Sequence, residues 1–105
     1  MRGVFTIMST EDRQAAQRRV NDLTTLLRAL PPDDSVASLL DEADALARAI
    51  GAFHLEGIRF RIYNVDRLVA ASPVPLPPEA AAAVSDIRRH LEAAGFHTRS
   101  HQAPT

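Results

Sequence analysis

Apolar residues recur at alternating steps of four and three in four separate stretches of this 105-residue chain, and that period leaves few folds open. Such steps gather on one stripe of an α-helix, whereas a half-buried strand needs steps of two. In the first stretch the stripe is Ala16, Val20, Leu23, Leu27 and Leu30, widened by Leu26. In the second it is Val36, Leu39, Ala43, Leu46 and Ile50, with Leu40 beside it. Ala80, Val84, Ile87, Leu91 and Ala94 make the last.

The ends of these stretches carry stop and start chemistry. Ser9-x-x-Asp12 has the form of a capping box and predicts a helix start there. Pro31-Pro32 ends that helix, because neither ring donates an amide and each disfavours helix in the residue before it. Asp33, Asp34 and Ser35 offer caps for the second helix, and Asp44 and Arg48 stand at the spacing of a favourable pair along it. SPVPLPP, residues 72–78, reads as a stiff extended connector, with Pro78 and Glu79 opening the last helix. Gly95 is a natural left-handed stop, with Phe96 placed to fold back on the last turn.

The third stretch has two readings. As a helix, Leu55, Ile58, Ile62, Val65 and Val69 fall within about 80° of arc over fifteen residues, with Phe60 as the misfit. As a strand, Ile58, Phe60 and Ile62 alternate with Arg59, Arg61 and Tyr63 for about six residues. The longer pattern favours helix. The expected fold is therefore mostly α, a compact up-down bundle of three to four helices at about 9–30, 34–51, 54–71 and 78–95. The alternative is an α+β fold with an N-terminal αα-hairpin, a β-hairpin at 57–71 and a C-terminal helix. Residues 9–96 form the single helical domain, 1–8 an N-terminal extension expected to fray, and 97–105 a polar tail. Met8, followed by Ser9-Thr10-Glu11-Asp12, reads as a more natural chain start than Met1.

Composition narrows the chemistry. The chain has no Cys, so disulfides, thiol nucleophiles and thiolate metal sites are excluded. All 12 basic side chains are Arg, which removes Schiff-base chemistry and the phosphate-binding lysine of a P-loop. Net charge is −1 with no basic block, so wrapping a phosphate backbone is disfavoured. The longest uncharged stretch, Leu68–Pro78, contains four prolines and falls short of the about 20 apolar residues of a membrane span. With no signal sequence at the N-terminus either, the expected compartment is the cytoplasm.

Few residues suggest a site. His97-x-x-x-His101 follows the predicted helix stop, where an extended chain sets the two about 13 Å apart, too far for one metal ion. His54 is expected to be partly buried and bonded to a backbone carbonyl, and His90 to pair along its helix with Asp86. The carboxylate pairs Glu11-Asp12, Asp33-Asp34 and Asp41-Glu42 stand near predicted helix starts, where negative charge favours the helix dipole. With four glycines there is no phosphate-binding loop. No cofactor, metal site or catalytic constellation is expected.

Arg59, Tyr63, Asp66 and Arg67 stand out instead, with Arg61 at the margin, because they share one helix face and include the types that dominate interface hot spots. They are the candidate partner-binding residues. Surplus apolar residues, among them Leu26, Leu40, Phe53 and Phe60, point to self-association. The expected role is a non-catalytic interaction, adaptor or regulatory protein that binds itself, as a homodimer, and another protein. The alternative is a small DNA- or RNA-binding regulator using Arg59, Arg61, Arg67, Arg88, Arg89 and Arg99. An enzyme would have to rest largely on scattered carboxylates and the four histidines, as a histidine-dependent hydrolytic or metal-assisted activity.

Overall fold

In the computed structural model, which describes residues 2–96 (residues 2–9 by their backbone alone), every regular element is a helix. They are α1 (Arg2–Arg28), α2 (Asp34–Gly51), α3 (Leu55–Ala70) and α4 (Pro78–Ala93). The third stretch is thus helical throughout, and the β-hairpin at 57–71 does not form. Ile58, Ile62 and Val65 are buried together. A strand would place Ile58 and Ile62 on one face but Val65 on the other. The polar tail and the His97/His101 pair lie outside the described residues.

One boundary differs from the expected one by more than two residues. α1 begins at Arg2, so Ser9 and Thr10 lie inside it and the capping box does not start it. The reason is that a cap favours a start without forcing one. Nothing between Arg2 and Ser9 breaks a helix as Pro31-Pro32 does at the other end. There the last turn tightens, Ala29 and Leu30 donating to the carbonyls of Leu26 and Leu27 at 3.2 Å.

α2 and α4 end in the same way with different residues. At the end of α4, Gly95 takes φ +101° and the Phe96 amide donates to the Leu91 carbonyl at 2.9 Å, while Phe96 packs against the core. At the end of α2 the same six-residue closure, His54 amide to Ala49 carbonyl at 3.0 Å, is made with Phe53 at φ +57°. A bulky residue there costs about 1–2 kcal/mol that glycine would not. The Arg13 guanidinium, 4.3 Å from the centre of the Phe53 ring, supports it from α1.

Short connections make successive helices antiparallel, and α1 closes the ring against α4. The core follows the stripes read from the sequence, with Ala83 added and with Leu30, Val69 and Ala94 only partly buried: Ala16, Val20, Leu23 and Leu27; Val36, Leu39, Ala43, Leu46 and Ile50; Ile58, Ile62 and Val65; Ala80, Ala83, Val84, Ile87 and Leu91. Leu55 departs from its stripe and is 42% exposed, because it opens α3 at the end of the bundle. Val74 and Leu76 of the connector pack against the core at the opposite end, held by Ser72, whose hydroxyl accepts from the Val74 amide at 3.3 Å. α3 packs closely on α2 but only lightly on α4, leaving one helix with an open outer side.

Candidate functional site

α3 carries the residues singled out from the sequence, and its two flanks are occupied by different networks. Toward α2, Glu42 accepts from Arg61 at 3.0 Å and from Asn64 Nδ2 at 3.2 Å. Arg61 therefore ties α3 to α2, and its guanidinium also lies 5.0 Å from the centre of the Phe60 ring. Toward α4, Arg88 donates to Asp66 across a groove of about 500 Å³ whose walls are Val69, Ala70, Ala81, Val84 and Ser85. Asp66, a candidate partner-binding residue from the sequence, is thus a bridge between helices. Arg59 pairs with Glu56 one turn away at 3.3 Å, leaving its buried Nε without an acceptor.

Between those flanks runs an exposed line. Glu56, Phe60, Tyr63, Arg67 and Ala70 are all exposed and step by four, three, four and three along the outer side of α3. Phe60 is 50% and Tyr63 36% exposed. Of the four candidates from the sequence, Tyr63 and Arg67 belong to this line, while Arg59 and Asp66 sit on its α4 flank. Phe60, read from the sequence as surplus apolar surface, was not placed on this face. It failed to fit the core stripe because it belongs to the opposite side of the same helix.

The histidines and acids divide differently from expectation. His54 is exposed and is the N-cap of α3, its Nδ1 accepting from the Gly57 amide at 2.9 Å, so it neither lies buried nor donates to a carbonyl. Asp44 pairs with Arg28 of α1 at 3.4 Å, not along α2 with Arg48. Asp86 binds Arg89 at 2.8 Å and Arg19 of α1 at 3.1 Å, so it does not serve His90. Those cations, Arg89 first, hold its carboxyl below the usual range, and Asp22 raises Arg19 further. Asp33 is lowered by the Ser35 hydroxyl and by the Ser35 and Val36 amides that it caps.

A second depression, of about 310 Å³, lies where Leu30, Pro31, Pro32 and Val36 meet Val74 and Pro75. Its one ionised group, Asp33, already caps α2. Among the described residues no three His, Asp or Glu side chains converge as a metal site, and no helix is long and apolar enough to cross a membrane. Comparison with protein-family models, curated proteins and solved structures finds no match for this chain.

Proposed function

We propose that the chain is a non-catalytic, cytoplasmic protein-interaction module of the adaptor or regulatory kind, acting as a small helical homo-oligomer through the outer face of α3. One observation carries this reading. Phe60 and Tyr63 stand exposed beside Arg67 on a helix whose apolar side is already buried. Aromatic residues and Arg are the types that contribute most to binding when a partner covers them. The nucleic-acid alternative has less support. Four of its six arginines, Arg59, Arg61, Arg88 and Arg89, are engaged by carboxylates, and Arg99 lies outside the described residues.

The test is paired capture from the native host, using the wild type and a variant carrying Phe60→Asp, Tyr63→Ala and Arg67→Ala. Matched circular dichroism verifies the fold of both. A protein retained by the wild type and lost by the variant is the expected result. Identical retention by both removes the face from consideration. Retained nucleic acid whose binding weakens steeply with salt favours the alternative.

A further inference from the structure

We propose that a second copy of this chain covers the outer face of α3, with the two α3 helices packed antiparallel across a twofold axis. The proposal rests on the binding face assigned above and names its occupant. The argument lies in the order of the exposed residues. Along the line they read Glu56, Phe60, Tyr63, Arg67. The midpoint between Glu56 and Arg67 is also the midpoint between Phe60 and Tyr63.

A twofold axis through that midpoint, perpendicular to the helix, sets Glu56 of one copy opposite Arg67 of the other, twice. It sets Phe60 opposite Tyr63, also twice. An isologous interface requires a patch complementary to itself, in which residue i meets j and j meets i. This line satisfies that requirement in charge and in residue type, with four aromatic rings central and an opposite-charge pair at each end. A parallel arrangement in register would set Glu56 on Glu56 and Arg67 on Arg67.

The remaining charges do not obstruct the approach. The Glu56 side chain is 76% exposed and, among the described residues, held by a single bond, to Arg59 at 3.3 Å. Arg67 has no ion pair among the described residues. Arg61 and Asp66, on either side of the line, are neutralised by Glu42 and Arg88 within the same copy. The steps of four and three keep the line straight along the sixteen-residue helix, as an antiparallel helix seam needs. One helix face buries less than a standard interface, so the dimer is weak, with a dissociation constant of about micromolar or above.

Sedimentation equilibrium of the full chain from low micromolar to about millimolar concentration tests the pairing. The wild type is expected to dimerise, and Phe60→Asp to abolish it. Glu56→Arg and Arg67→Glu, each alone, are expected to weaken association about tenfold or more, since each sets like charges opposite twice. The double variant E56R/R67E restores it, because the pairs return with their signs exchanged. A monomer throughout the range overturns the proposal, as does a dimer indifferent to the single reversals or not rescued by the double variant. In those cases loss of a captured partner by the triple variant would leave the binding face itself standing, with another protein as its occupant.

Discussion

Gly57 sits in the first turn of α3, where alanine would favour the helix by about 1 kcal/mol. The reason for glycine there is its neighbour. A Cβ at this position would lie 2.5 Å from His54 Nδ1, the atom that caps the helix, and 3.3 Å from the Ala49 Cβ. Cap and glycine are therefore one device. Gly57→Ala is expected to gain little or lose stability, because it displaces a cap that contributes about 0.5–2 kcal/mol. A serine cap has no ring to lie over residue 57, so in a His54→Ser background the same substitution should stabilise. Urea denaturation of the four proteins checks this as a double-mutant cycle, with a coupling of about 1 kcal/mol expected. Strict additivity would show that the two residues act independently.

Among the elements, α2 has the most complete start. Asp33 accepts from the Ser35 hydroxyl and from the Ser35 and Val36 amides, and Asp34 follows in the first turn. These bonds favour the carboxylate form, so the Asp33 pKa is lower in the folded chain than in the unfolded one. The stabilisation it contributes is therefore complete above the ordinary aspartate range near pH 4 and is lost as pH falls through the depressed folded value. Asp33→Asn keeps a capping side chain but not the titration. The wild type should exceed D33N in stability at pH 7, and the difference should shrink steadily as pH falls below the ordinary aspartate range, as followed by denaturant midpoints. A difference independent of pH would mean that Asp33 acts by geometry alone. Element boundaries were legible where chemistry forbids continuation, at Pro31-Pro32, and where glycine readily takes a left-handed stop, at Gly95. They were less so at Ser9, where a capping residue merely permits a start and α1 runs on through it.

For the molecule as a whole, the two sides of α3 separate fold from binding. Ile62 is fully buried among the four helices, whereas the larger Phe60 is half exposed on the other side. Ile62→Ala is expected to cost about 2–5 kcal/mol, through lost transfer energy and the cavity left behind. Phe60→Ala should change monomer stability by less than about 0.5 kcal/mol in dilute solution, where any self-association is negligible. Thermal denaturation checks both. A large loss from Phe60→Ala would make that ring part of the core and remove it from the binding face. Helix identity and core membership follow from the sequence because the period of 3.6 residues is a local property that each stripe displays by itself. The choice of partners does not follow in that way. Asp44 has Arg48 at ideal spacing along α2 yet reaches Arg28, and Asp66 reaches Arg88 across to α4. Such choices depend on how far apart the helix axes lie and which flanks face each other, quantities set only when all four stripes pack at once. The same packing decides that Phe60 and Tyr63 look outward, because a helix with one side buried must turn its other side to its surroundings.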